Sequence, residues 1–102
     1  MSYFIVWEFE VRKGREKEFE RMYGPHGEWA RLFAKRNGYK GTHLLRGEGR
    51  RRWYVTIDRW VSRGAYQRFK TRLVDEYARM DARGEGLITK GRKIGEFNAL
   101  GH

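Results

Sequence analysis

Tyr3-Phe4-Ile5-Val6-Trp7-Glu8-Phe9-Glu10-Val11 is the stretch on which the fold turns. Side chains alternate across a strand, so Tyr3, Ile5, Trp7, Phe9 and Val11 share one face and Phe4, Val6, Glu8 and Glu10 the other. The first face is apolar throughout and the second is apolar over its first half. A strand of this kind needs cover on both sides. Outward from it, Glu16 to Met22 has helical spacing, with Phe19, Met22 and Tyr23 on one stripe. Gly24-Pro25 interrupts the helix, and Trp29, Leu32 and Phe33 carry a second short helical face that stops at Asn37-Gly38. Tyr39 to Arg46 and Trp53 to Val61 read as strands joined by a Gly-Glu-Gly-Arg turn region. Ser62 is a good N-cap for one long helix with the stripe Ala65, Tyr66, Phe69, Leu73, Tyr77 and Met80, ending at Arg83-Gly84. Ile88 to Phe97, with two internal glycines, reads as an edge strand.

The order β-α-β-β-α-β with right-handed crossovers predicts an α+β, ferredoxin-like unit: four antiparallel strands with the helices on one face. The helices cover one side only. The other face of the first strand, together with Tyr54, Thr56 and Trp60 if they share it, then lacks a cover. A second copy packed sheet to sheet is the simplest one, so the expectation is a homodimer.

At 102 residues with 39% apolar and 16% aromatic residues, the chain reads as a single domain over residues 1–102 with material for a core. It is not a disordered basic tail. The absence of cysteine excludes disulfides and thiolate metal sites and fits a reducing, cytoplasmic setting. The longest apolar run, residues 3–7, falls far short of the roughly 20 residues that span a bilayer, and no signal-peptide pattern opens the chain. The net charge of +10 raises a nucleic-acid reading. Most basic residues alternate with apolar ones as a solvated face does, and Arg50-Arg51-Arg52 reads as a hairpin tip. With no recognition signature for helix-turn-helix or aromatic RNA-binding strands, nucleic acid ranks last among partners.

Three stretches resemble a known family: Val11-x-x-Gly14-x-x-x-x-Phe19, Gly38-Tyr39-x-Gly41, and Trp60-x-Ser62-x-x-Ala65-Tyr66-x-x-Phe69. Together they are similar to the antibiotic biosynthesis monooxygenase domain over nearly the whole chain. The resemblance implies a dimeric α+β barrel. Among the activities it implies are cofactor-free oxygenation of polyketide aromatic rings, heme degradation and quinol handling. The heme-degrading branch uses an asparagine, a tryptophan and a histidine at positions that fall here on Trp7, on Phe69 and in residues 77–80, where there is no histidine. That activity is therefore not expected.

Cofactor-free oxygenation asks for an apolar cavity, a base and something to hold an anion. The candidate bases are His43 in the second strand, His26 beside the helix break and Asp58 in an otherwise apolar strand. The plainer readings are an exposed strand histidine, a solvated loop histidine, and a carboxylate paired with a neighbouring arginine. Trp7, Tyr23, Trp29, Phe33, Tyr39, Tyr66 and Phe69 are expected to form core and substrate wall. No metal-ligand spacing and no nucleotide-binding glycine loop occur, and neither metal nor other cofactor is expected. His102 is terminal and is assigned no role. The leading expectation is a small dimeric monooxygenase-like enzyme acting on an aromatic or quinol-type molecule. A non-catalytic small-molecule-binding or stress-related dimer of the same fold comes second, and a nucleic-acid binder third.

Overall fold

The structure is a computed structural model and describes residues 2–101; His102 lies outside the described residues. Four strands, β1 (Tyr3–Val11), β2 (Tyr39–Arg46), β3 (Trp53–Trp60) and β4 (Ile88–Asn98), form one antiparallel sheet in the order β2-β3-β1-β4. Between β1 and β2 lie α1 (Glu16–Tyr23) and α2 (Glu28–Phe33), and between β3 and β4 lie α3 (Arg63–Arg72) and α4 (Val74–Glu85). This is the ferredoxin-like arrangement, with β4 at one edge and β2 at the other.

The second helical region differs from expectation. It breaks into α3 and α4 at Leu73, whose backbone leaves helical geometry at φ −118° and ψ 36°. Neither glycine nor proline lies at the break, so the residue types there do not mark it. Ser62 caps α3, its Oγ accepting from the Ala65 N–H at 3.1 Å.

Register decides the faces. β1 meets β3 with Tyr3 opposite Trp60, Ile5 opposite Asp58, Trp7 opposite Thr56 and Phe9 opposite Tyr54. Cross-strand partners share a face, so Tyr54, Thr56, Asp58 and Trp60 lie under the helices, and all four are buried. Tyr54, Thr56 and Trp60, counted with the uncovered side only if they shared it, therefore do not lie there. The uncovered face is instead built from Phe4, Val6, Trp53, Val55, Ile57 and Leu45, none of them fully buried.

The core is aromatic. Phe19 stacks on Tyr23 at 4.2 Å between centroids, and Phe33 packs edge-on against Trp60 and Phe69 at 5.7 and 5.1 Å. Such contacts add about 0.5–1.5 kcal/mol each beyond the area they bury. α4 reaches this core through a close approach at Gly84, where a Cβ would stand 2.1 Å from the Tyr23 hydroxyl oxygen. Tyr23 is itself buried and has little room to retreat. Gly84→Ala is therefore expected to destabilise the fold by about 1–3 kcal/mol in urea unfolding. Adding Tyr23→Phe, which removes the clashing oxygen, recovers part of the loss.

Candidate active site

Between the sheet and the helices is a cavity of about 60 Å³, partly open to solvent. β1 and β3 supply its floor with Ile5, Trp7, Phe9, Thr56 and Asp58. Tyr23, Trp29 and Phe33 from the first helical pair form the walls, and Tyr66, Tyr77 and Asp81 from α3 and α4 close it above. Trp7 and Tyr77 are half-buried and Asp81 is exposed, which places the mouth at their side.

Asp58 is the chemically distinctive group. It is 9% exposed, and its Oδ1 accepts a hydrogen bond from Thr42 Oγ1 at 2.7 Å. Burial pushes its pKa up to about 6, and the Thr42 hydroxyl, which favours the ionised form, pulls it partly back. Among the described residues no arginine pairs with it, contrary to the expectation. Arg59 projects to the opposite face, where its guanidinium approaches the Lys40 carbonyl. The cavity tyrosines behave differently. Burial drives the Tyr23 hydroxyl to about 12 and raises Tyr66 and Tyr77 as well, so all three are neutral phenols at pH 7. Trp29 adds a buried indole N–H that has no hydrogen-bond partner among the described residues. The cavity thus joins aromatic walls to one buried carboxyl group that changes charge near neutrality, the property a general base needs.

The other predicted site residues are placed as follows. His43 pairs with Ile57 on the uncovered face of the sheet and is exposed. His26 is exposed in the α1–α2 connection, its carbonyl accepting from Arg31 Nη1 at 2.8 Å. Neither histidine lines the cavity. In β2, alternation turns His43 away from the helices, and His26 sits in a loop held outward by Arg31. Trp7, Tyr23, Trp29, Phe33 and Tyr66 do line it. Tyr39 and Phe69 do not. Phe69 is fully buried behind Phe33 and Trp60, and Tyr39 packs on Phe33 and Trp60 at the β2 edge. Thr42 carries no signal of its own in the sequence. Strict alternation puts Tyr39 and Thr42 on opposite faces, and only Gly41 hints otherwise.

This is the fold of the antibiotic biosynthesis monooxygenase domains. The chain is similar to SnoaB, a cofactor-independent oxygenase from Streptomyces nogalater, with 24% identity, a TM-score of 0.80, and coverage of 99% of this chain and 95% of that one. A provisionally assigned antibiotic biosynthesis monooxygenase from Bordetella bronchiseptica is 15% identical over 97% of each chain, with a TM-score of 0.78. Rv0793 from Mycobacterium tuberculosis is 14% identical over 100% of this chain and 98% of its own, with a TM-score of 0.74. No family model matches the sequence, and neither does any curated protein.

Asp58 also has a thermodynamic signature. Its folded-state pKa, about 6, lies above its ordinary value of 3.8, so the native state holds the proton more tightly than the unfolded chain. Its contribution is fully present below pH 4 and is lost as pH rises through 6, a swing of about 3 kcal/mol. Asp58→Asn is expected to be more stable than the native sequence at pH 7 and to lose the decline between pH 4 and 6. Urea unfolding across that range measures both.

Proposed function

We propose that the protein is a small monooxygenase-like enzyme that oxidises a phenolic or quinol-type aromatic molecule with O2, using Asp58 as the base. The observation that carries this reading is a buried carboxyl group, ionisable near neutrality, inside an aromatic cavity. Ionised Asp58 takes the phenolic proton through its free Oδ2, leaving an electron-rich phenolate. The phenolate reduces O2, and recombination at a ring carbon bearing hydrogen forms a C–O bond. Cleavage of the O–O bond leaves one oxygen on the ring. The other departs as water with the ring hydrogen and the proton returned by Asp58. The balance is phenol plus O2 to quinone plus water, and the substrate supplies all the electrons. Aromatic walls favour a flat ring, and Trp29 Nε1 is a donor for its oxygen. The cavity, about 60 Å³, is smaller than such a ring, so the reading requires half-buried Tyr77 or Trp7 at the mouth to move aside on binding. The similarity to an oxygenase described as cofactor-independent supports the reading.

The same reading includes a homodimer through the uncovered sheet face. Phe97 and Leu45 are 47% and 49% exposed there, beside Phe4, Val6, Val55 and Ile57. Two such faces packed together remove this apolar surface from water. Sedimentation is expected to give a dimer, and Val55→Glu with Ile57→Glu is expected to give a monomer; a monomeric native protein overturns this part.

For the reaction, O2 uptake is measured with a panel of anthrols and naphthoquinols. The activity is expected to rise with pH through about 6, the ionisation of Asp58. Asp58→Asn is expected to lower kcat by 10²-fold or more. His43→Ala and His26→Ala are expected to leave it unchanged. Saturable ligand binding without O2 uptake identifies the non-catalytic alternative.

A further inference from the structure

β2 carries a bulge at its start, and the bulge brings two hydroxyl groups into line with Asp58. Tyr39 pairs with Trp60, and Gly41, not Lys40, pairs with the next residue, Arg59; Thr42 then pairs with Asp58. One residue is therefore extra between Tyr39 and Thr42. In a regular strand residues three apart point to opposite faces, and a bulge reverses that parity. Gly41 has φ +130°, a backbone conformation open to glycine and costly for other residues, while an added Cβ would meet nothing within 4 Å. Conformation, not space, reserves the position for glycine.

The hydroxyls of Tyr39 and Thr42 are 2.5 Å apart, and Thr42 Oγ1 stands 2.7 Å from Asp58 Oδ1. Charge fixes the direction of the chain. An ionised carboxylate only accepts, so Thr42 spends its single proton on Asp58 and receives the proton of Tyr39. Oδ2 is left with no hydrogen bond among the described residues.

We propose that Tyr39 and Thr42, brought to one face by the Gly41 bulge, are positioning residues that hold Asp58 by Oδ1 and keep Oδ2 turned toward the cavity for proton transfer. The inference deepens the reading of Asp58 as a base and rests on it for its catalytic meaning, but the relay itself can be tested without a substrate. Hydrogen bonds to the ionised carboxylate strengthen as it loses its proton, so the relay opposes the effect of burial and lowers the pH at which Asp58 ionises. The other groups facing Asp58 from packed elements are Tyr23 of α1, Tyr66 of α3, Tyr77 and Asp81 of α4, and Lys93 and Glu96 on the inner face of β4. Lys93 is paired with Glu96. Among the described residues no arginine or lysine lines the cavity, which leaves the hydroxyl relay as the stabiliser of the ionised form.

The test is carbon-detected NMR titration of the Asp58 carboxyl group in the ligand-free protein, assigned against Asp58→Asn. Thr42→Val is expected to move the midpoint upward by roughly one pH unit, and Thr42→Ser to restore it. Tyr39→Phe and Gly41→Ala are expected to give smaller upward shifts. Thr42→Ala serves if Thr42→Val does not fold. An Asp58 midpoint unchanged in a folded Thr42 variant overturns the relay, and one unchanged in Gly41→Ala overturns the role of the bulge. Once a substrate is in hand, the acid limb of kcat is expected to shift with the NMR midpoint and KM to change less than twofold. A shifted midpoint with no O2 uptake by the native protein leaves the relay standing and removes the oxygenase reading.

Discussion

The pairing of β1 with β3 is the constraint from which the site follows. Tyr3 opposite Trp60 and Ile5 opposite Asp58 place every second residue of β3 beneath the helices. A slip of one residue would turn Tyr54, Thr56, Asp58 and Trp60 outward and bring Trp53, Val55, Ile57 and Arg59 inward. The volume of the aromatic side chains opposes that slip, because Trp60 and Tyr54 are both about 1% exposed or less and pack against three or more ring neighbours between them. The carboxyl group of Asp58 is carried inside as a consequence of its neighbours' hydrophobicity, against its own preference for water.

That opposition is the energetic character of the molecule. An aspartate taken out of water is normally matched with a cation, and a structural role would favour one. Here it meets a neutral hydroxyl and aromatic walls. The fold tolerates a group that weakens it at neutral pH, as functional sites commonly do. The exposed ion pairs, such as Arg15 with Glu18 and Arg92 with Glu8, are screened by solvent and do not change this balance.

The net charge of +10 is spread over hairpin tip, strand edges and helix exteriors, and among the described residues its arginines and lysines stay out of the cavity. The field it creates acts at a distance, on solubility and on the approach of anionic molecules. The aromatic content is the more informative feature of composition, since it forms both the core and the cavity wall.

Much of this architecture was legible in the residues. Period-two alternation in β1 and β3, glycine punctuation at Gly24 and Gly38, and Ser62 before a helical stripe give the element order and the ferredoxin-like sheet. These signals are local, and local periodicity reports which face is apolar. It does not report which strand residue lies opposite which. The break at Leu73 escaped it because no residue type there is incompatible with helix. The three candidate bases were legible as titratable residues, but their ranking was not. His43 and Asp58 both sit within strands, and only the register sends one to solvent and the other into the cavity. Thr42 was invisible for a related reason: a bulge of one residue inverts the parity on which sequence reading depends. The strands, the helical stretches, their order and the supply of aromatic side chains are written locally in the chain, the break at Leu73 excepted, because they follow from interactions a few residues apart. Which carboxyl group is buried, what holds it and what it faces were decided by tertiary structure alone, because a pKa responds to groups that meet only when distant strands pair.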